Sequence, residues 1–420
     1  MWRVEDGKRR YGDEMSEIRE MTLQTIIDSF HAGAAAIRMK QELQPGGGDG
    51  DKVFPPTYAS KGNESGPQYA KETRMVNGNP VSTVMLDSVQ SQANRMEAAL
   101  VALCREGRLS LPILSVELPV GDNGRKTLYT SLDLPHRVYD GRFRACTLDG
   151  VPFPQSELNR ILARASAEFA TPLYRYCPTA LVFGGWNSHD TKDSGTQARF
   201  QRALTSEIIG IDAEYDTRKM GGASDPLGIL ATTKVFPAKK EYPYDWTLEN
   251  SKKAAAATKP STFGLSAIAP STDRQGGGVT ISKAIQTMVI SLSYLRRLRF
   301  PAEKGAASSP EGDEAGRVVL AALALCAVEA TVNRGYDLRS RCLLLPTDRP
   351  VYEVVGPTAA DTKRYSLGDG VSLLHQALEQ AEALGLSWEQ EEVSLKPSPE
   401  FLKLLEQNAA AVVLPEGGGE

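Results

Sequence analysis

Apolar positions between Leu181 and Ile229 recur at helical spacing. A stripe at intervals of four predicts one buried helix face. The stripe consists of Phe200, Leu204 and Ile208. Ser194 followed three residues later by Gln197 has the form of a capping box, which predicts that the helix begins there. Gly210 is expected to end it.

Similar patterns predict the other main elements. The clearest helix covers Val84 to Arg105, with Asp87 as its cap. Further helices are predicted at about 16–41, from about 280, and at 318–332, 371–384 and 399–409. The predicted strands are 111–118 and 127–132, which form a hairpin, and 336–345. Pro112 and Pro119 indicate an edge position for the first hairpin strand.

Composition indicates a folded, soluble protein. The chain has 420 residues, of which 41% are hydrophobic, enough for a large core. The longest apolar run, Val318 to Val332, contains Glu329 and is too short to span a bilayer, and the N-terminus lacks the apolar core of a signal peptide. We therefore expect a cytoplasmic protein. The five cysteines lack CxxC spacing, which favours buried free thiols over metal ligands or disulfides. No cofactor is expected.

The net charge of −4 hides a split along the chain. Residues 234–299 contain eleven Lys or Arg against four Asp or Glu, whereas residues 311–420 contain nine against eighteen. This asymmetry predicts a basic surface on an acidic body. Such a surface is suited to a polyanion.

Two neighbouring features offer donors for an oxyanion. Arg199, Arg202 and Ser206 are predicted to share the exposed face of the helix after Ser194. A basic glycine turn follows at 218–222. Arginine forks and glycine amides both bind phosphate. The alternative, a solvated helix face beside an ordinary turn, stays open.

Basic and aromatic residues interleave in the segment 231–278. Lysines neutralise phosphate and rings stack on bases, so this pattern is typical of binding to single-stranded nucleic acid. An exposed loop anchored by a few rings is the competing interpretation.

Catalytic patterns are weak. His136 with Asp140 and His189 with Asp190 lack a nucleophile or third ligand at a recognisable spacing. Alternating acids could hold a divalent ion on one side of a strand, or form surface ion pairs with the basic residues that follow. These acids are Asp212, Glu214 and Asp216. The glycine turns fit neither a Walker nor a dinucleotide fingerprint.

Several long blocks of the sequence resemble one known family. These are 43–59, 85–100, 136–153, 183–211, 218–229 and 335–344, including LQPGGGDGDKVFPPTYA, HRVYDGRFRACTLDGVPF and RKMGGASDPLGI. In matching order they resemble the RAMP-type backbone subunit of type I-U (also called I-G) CRISPR effector complexes, a Cas-seven-type protein.

The resemblance implies an α+β fold: a modified RRM or ferredoxin-like palm with large insertions called fingers and a protruding thumb. We place palm segments at 16–41, 84–107, 178–230 and 279–345. Insertions are expected at about 43–80 and 108–177, the thumb at 231–278, and an acidic C-terminal extension at 346–420.

The resemblance also implies a function. Members bind the CRISPR RNA backbone without sequence preference, polymerise head to tail along it, and leave its bases free to pair with target DNA. Backbone subunits of type I complexes do not cut, so no enzyme activity is expected. The implied partners are CRISPR RNA, further copies of the chain, other Cascade subunits and target DNA, with no membrane.

The hypothesis assigns thirteen residues to the RNA groove: Arg38, Lys40, Gln92, Asn94, Arg95, Arg199, Arg202, Ser206, Arg218, Lys219, Met220, Gly221 and Gly222. Two alternatives remain open. One is a metal-dependent ribonuclease that uses the alternating acids, and the other is an enzyme that binds a phosphate ligand on the glycine turns.

Overall fold

The computed structural model describes residues 18–59, 68–76, 78–120, 125–187, 198–215, 218–220, 222, 224–238, 246–249, 256–267, 271–273 and 277–413. The side chains of 218–220, 271–273 and 409–413 are not among the described features.

Fifteen strands build the two larger sheets of the described chain. They are β1 Arg19–Glu20, β2 Ala36–Pro45, β3 Lys71–Val76, β4 Asn79–Asp87, β5 Leu114–Pro119, β6 Lys126–Thr130, β7 Cys146–Leu148, β8 Val151–Pro152, β9 Leu204–Ile211, β10 Lys283–Ser291, β11 Tyr336–Asp337, β12 Leu343–Pro346, β13 Tyr352–Val355, β14 Thr362–Ser366 and β15 Val393–Pro397. Short two-stranded ladders pair Thr57–Tyr58 with Gln68–Tyr69, Gly185–Trp186 with Arg199–Phe200, Glu214–Tyr215 with Val279–Thr280, Arg218–Met220 with Ser271–Asp273, and Phe236–Pro237 with Trp246–Thr247.

The helices accompany these sheets. They are α1 Leu23–His31, α2 Val89–Arg105, α3 Gly141–Arg144, α4 Glu157–Ala163, α5 Thr171–Tyr176, α6 Pro178–Phe183, α7 Leu292–Leu295, α8 Pro310–Arg334, α9 Gly370–Ala383 and α10 Pro399–Val413. Three 3-10 turns lie at Arg137–Tyr139, Phe153–Gln155 and Pro260–Phe263.

The central sheet has ten strands in the order β1-β14-β13-β2-β10-β9-β4-β3, with β12 beside β2 and β11 beside β12. Its middle is antiparallel: β2 pairs with β10 and with β13, and β9 pairs with β10. Along the chain, β2, α2, β9, β10, α8 and β13 follow the β-α-β-β-α-β order of ferredoxin-like folds. The predicted α+β class is therefore confirmed, and this order is consistent with the predicted palm.

One face of the central sheet is covered and the other is open. In β2, Ile37, Met39, Gln41 and Leu43 are buried while the alternate positions are partly or fully exposed. The buried face packs against α2 and α8. Because strand side chains alternate between faces, the other set forms an open sheet surface.

Helix α8 is the centre of the core. Every residue from Val318 to Val328 is buried, as expected for a helix that is apolar all round. By length and composition it could cross a membrane, but 72% of its apolar window is buried inside the fold, as in a soluble core helix. The prediction of a deeply packed helix at 318–332 is confirmed.

The second sheet has the order β8-β7-β15-β5-β6. It confirms the predicted hairpin of β5 and β6. The expected edge position is wrong, because β5 also pairs with β15. Pro112 precedes the strand and Pro119 is its last residue, so neither interrupts the ladder to β15.

The helix predicted from Ser194 to Gly210 is wrong. Leu204–Ile211 is strand β9, and Ser194 and Gln197 lie outside the described residues. A spacing of four is also an even spacing, so Leu204 and Ile208 lie on the same face of a strand as readily as on one face of a helix. The β-branched residues of this segment favour the strand.

Three other helix predictions also need correction. The one at 16–41 covers only α1 and then enters β2, and the one from Thr280 is strand β10 followed by the short α7. The third, a helix over Val84 to Arg105, is confirmed from Val89 onward as α2. The N-cap of α2 is Ser88, whose side chain accepts a hydrogen bond from the Ser91 amide. Asp87 instead ends β4.

Candidate nucleic-acid interface

A cleft of about 980 Å³ opens at the end of the central sheet where β9 begins and β10 ends. Its walls are the first turns of α2, residues 135–137, 183–186 and 199–205, and the segment after β10 around α7. Three of the predicted groove residues line it: Asn94, Arg199 and Arg202. The structure therefore brings together residues from distant parts of the sequence.

Three arginines lie in this cleft without a carboxylate partner in the described chain: Arg199, Arg202 and Arg297. Arg199 is exposed, and its guanidinium lies 5.7 Å from the ring centre of Trp186, which is half exposed. Arg297 is also exposed and lies 4.9 Å from the ring of Tyr294. Cations and rings thus alternate along the walls.

A buried ion pair supports the floor. Arg137 donates to both oxygens of Glu97 at 2.6 and 2.9 Å, and both side chains are almost fully buried. Arg137 also donates to the carbonyl of Gly184 at 2.9 Å. Its backbone has a φ of 53°, a left-handed conformation that costs a non-glycine residue energy. These contacts hold Arg137 in that conformation.

Arg202 gives the floor an excess positive charge. Burial lowers the pKa of Arg202, the neighbouring charge of Arg137 lowers it further, and Glu97 partly offsets both effects. One carboxylate therefore faces two guanidinium groups. The Nε atom of Arg202 is buried without a hydrogen-bond partner. An anion in the cleft would relieve both the charge excess and the missing bond.

Burial has the opposite effect on the carboxylate. It raises the pKa of Glu97 from 4.5 to about 7, although Arg137 and then Arg202 lower it. The charge of the floor therefore changes near neutral pH.

A glycine lets the 184–186 loop approach Arg202. Gly184 has a φ of +89°, and a Cβ there would lie 3.1 Å from Cγ of Arg202 and 3.2 Å from the carbonyl oxygen of Phe200. A larger residue would strain the backbone and push Arg202 aside. Gly184 thus shapes the cleft.

Arg38 and Lys40 lie on the open face of the sheet. Arg38 pairs in register with Val289 of β10, and Val289 pairs with Thr205 of β9, which lines the cleft. Arg38 is therefore two strand spacings, about 10 Å, from Thr205. Arg38 is paired with Glu353 at 2.6 Å. Lys40 is exposed and makes no ion pair with the described chain. The open face adjoins the cleft, but part of its charge is neutralised.

Gln92 and Ser206 do not face solvent, so their assignment to the groove is wrong. They are 1% and 3% exposed. Ser206 donates to Gln92 at 2.8 Å, Gln286 donates to both, and Gln92 donates to Asp87 at 2.6 Å. This network joins α2 to the sheet. Ser206 turns inward because it lies on the buried side of a strand rather than on the outer side of a helix.

Arg95 is already occupied by the protein. Its Nε donates to Asp87 at 2.9 Å, and a terminal nitrogen donates to the carbonyl of Leu338 at 2.6 Å. Arg339 lies 3.5 Å from the same carboxylate. These contacts tie α2 to the segment before β12, which is a structural role for Arg95.

The basic glycine turn is only partly described. Arg218, Lys219 and Met220 form a short strand, but their side chains and Gly221 lie outside the described residues. Gly222 is exposed. The contribution of this turn to the groove stays a prediction.

The alternating acids do not form a recognisable metal site. Asp212 has a φ of 52° and precedes the short strand that contains Glu214, while Asp216 lies outside the described residues. In the part of the chain that the structure describes, no group of three His, Cys, Asp or Glu residues is placed to hold a metal.

Several cleft residues were missed from the sequence: Glu97, Arg137, Trp186, Tyr294 and Arg297. Glu97 and Arg137 are separated by forty positions, so no local pattern links them. Arg297 follows α7, and the aromatic residue that it contacts, Tyr294, is brought into the cleft by the pairing of β10 with β9. An exposed tryptophan beside two glycines was the one available signal.

Comparison with known proteins supports the family. The model of the family described as CRISPR-associated protein GSU0053 matches residues 37–215, from β2 to just beyond β9. Over these residues the chain is similar to that CRISPR-associated family, which supports the resemblance seen in the sequence. No curated protein matches the chain. The crystal structure of Thermofilum pendens Csc2 aligns over 94% of both chains at 11% identity, but its TM-score of 0.23 carries no argument.

Proposed function

We propose that this CRISPR-associated chain is a backbone subunit that binds guide RNA in a type I effector complex, of the I-U or I-G type. The observation that carries the proposal is the cleft, where three arginines without acidic partners lie with an exposed tryptophan. In a protein with a net charge of −4, such a concentration of free cations marks a specific anionic ligand.

The donors in the cleft suit a nucleic-acid backbone better than a base edge. Guanidinium groups bind phosphate, and an aromatic ring stacks on any base, so neither contact depends strongly on sequence. RRM domains use rings on the open sheet face to stack bases. In this chain the paired positions across β2, β10 and β9 on the open face carry no aromatic ring: they are Arg38, Val289 and Thr205, and then Lys40, Thr287 and Glu207. We therefore place the stacking of bases in the cleft.

The proposed assembly follows from the family. Copies of the chain would follow one another head to tail along CRISPR RNA, join other Cascade subunits, and present bases to target DNA. The chain would serve as a structural, non-catalytic component. In this role it would leave a labelled RNA uncut in the presence of magnesium.

Reversing two cleft charges tests RNA binding. In the variant Arg199→Glu/Arg297→Glu, the affinity for fluorescent oligouridine should fall at least about tenfold, because two phosphate contacts become repulsive. The slope of log affinity against log salt should become shallower by about 1.4, since each contact on a single strand contributes about 0.7. Fluorescence anisotropy over a salt series measures both quantities. Oligoadenine of equal length should give the same result.

The matched control is Arg164→Glu/Arg334→Glu. Both arginines are exposed, lie outside the cleft and change the net charge by the same amount. This variant should retain nearly all the affinity. An equal loss in the two double variants would show that net charge rather than the cleft holds RNA, and would overturn the proposal.

A further inference from the structure

Two buried polar atoms without a hydrogen-bond partner belong to residues of the same cleft. They are Nε of Arg202 and the hydroxyl of Tyr294, and they are two of only five such atoms in the described chain. Tyr294 is 5% exposed, and burial raises its pKa to about 12, so its hydroxyl keeps its proton. Folded proteins rarely leave buried donors unpaired, because each one loses its bonds to water.

The local structure fixes the position of Tyr294. It lies in α7, whose N-cap Ser291 accepts a hydrogen bond from the Tyr294 amide at 3.2 Å. The preceding strand β10 leads into the cleft from the centre of the sheet. A tyrosine on such a rigid element, with nothing bonded to its hydroxyl, is unnecessary for packing, because phenylalanine would fill the same space without the unpaired group.

We propose that Tyr294 and Arg202 form a clamp for one phosphate group of the bound strand. The inference rests on the proposed function and assigns this subsite within it. Both residues donate hydrogen bonds, and a phosphodiester has two non-bridging oxygens that only accept them. The two guanidinium groups of Arg137 and Arg202 beside the single carboxylate of Glu97 favour an anion over a neutral hydroxyl at this place.

Arg297 lies beside the clamp. Its exposed side chain lies on the Tyr294 ring at 4.9 Å, and no carboxylate of the described chain holds it there. A phosphate bound at the clamp would offer this guanidinium an anionic partner. Arg297 would then be a third contact at the mouth of the cleft.

The decisive variant is Tyr294→Phe, which removes only the unpaired hydroxyl. The thermal midpoint of the free protein should stay unchanged or rise, because an unsatisfied buried group is lost. The affinity for oligouridine should fall about tenfold, as one hydrogen bond to a charged group is lost. The salt slope should stay unchanged, because a hydroxyl releases no counterion. By contrast, Arg202→Gln should make the slope shallower by about 0.7.

Tyr336→Phe is the matched control. The Tyr336 hydroxyl is buried too, but it donates to Gln286 at 2.8 Å. Its removal should lower the thermal midpoint and leave RNA affinity unchanged. Uridine monophosphate should compete with RNA at concentrations where uridine does not, because only the former carries the phosphate.

The outcomes separate the clamp from the wider function. If Tyr294→Phe binds RNA as tightly as the wild type, or lowers midpoint and affinity together as a structural residue would, the clamp is overturned while the RNA-binding proposal stands. If the wild type fails to bind RNA, both fall. Equal competition by uridine and uridine monophosphate would also overturn the phosphate assignment.

Discussion

At the scale of single residues, the cleft is organised by an imbalance of charge. Glu97 is paired with Arg137 by two hydrogen bonds, and it acts on Arg202 only through its charge, without an ion pair. Burying a charge without a partner is costly, so proteins keep such an arrangement where a ligand completes it. On the proposed function, the cost of this arrangement in stability is offset when RNA binds.

Glu97 gives this imbalance a pH dependence. Its pKa is raised from 4.5 to about 7, so between these values the native chain holds a proton that the unfolded chain has released. The contribution of the Glu97 proton to stability is complete below the pKa of Glu97 in the unfolded chain, and it is lost as pH rises through about 7. The amide introduced by Glu97→Gln does not titrate, so this variant does not lose that contribution to stability as pH rises. Its thermal midpoint should therefore rise relative to the wild type between about pH 5 and about pH 8.

Thermal denaturation of both proteins over this range measures the effect. Other titrating groups are common to the two chains and cancel in the difference. If the thermal midpoints of the two proteins change in parallel with pH, or if the midpoint of the wild type rises relative to that of the variant as pH rises, the native pKa of Glu97 is not raised.

Residue type identified Arg199 and Arg202 as candidates, because arginine offers a fork of donors to phosphate. It could not identify Gln92 and Ser206 as interior residues. The direction of a side chain depends on the element that carries it, and Ser206 belongs to a strand with its buried side toward α2. Tyr294 was missed because an unpaired hydroxyl is a property of packing.

At the scale of elements, strand β9 decides where the cleft lies. Its register with β10 places Thr205 and Arg202 at the sheet end beside α7. The sequence predicted α2, α9 and α10 because their periodicity extends over several turns, and α8 because its apolar run is long. It failed for β9 and β10, whose intervals of four suit both a helix and a strand. Pairing with distant β2 and β4 resolves that ambiguity.

Gly210 tests the strand assignment. In β9 a Cβ at this position would lie 2.7 Å from Ile281 and 3.0 Å from Val84, so Gly210→Ala should destabilise the fold by about 1–3 kcal/mol. Gly141, the first residue of α3, has open space around it. Gly141→Ala should stay within about 0.5 kcal/mol of the wild type. Urea denaturation compares them, and equal stabilities of the two variants would contradict the close contacts of β9.

At the scale of the whole molecule, the ferredoxin-like order of β2, α2, β9, β10, α8 and β13 brings the cleft to one end of the central sheet. The open sheet face leads from it toward Arg38 and Lys40. The acidic residues of 311–420 largely belong to α8, α9, α10 and their connections. Of the arginines that line the cleft, Arg297 belongs to the basic segment 234–299, whereas Arg137, Arg199 and Arg202 come from outside it. The split of charge along the chain therefore does not by itself locate the cleft.

Photochemical cross-linking identifies the surface that holds RNA. RNA that contains 4-thiouridine is irradiated with the protein, and the attached peptides are identified by mass spectrometry. We expect cross-links at the cleft, in 184–186 and 294–297 and in the first turns of α2. Cross-links confined to the second sheet, α9 or α10 would contradict RNA binding in the cleft.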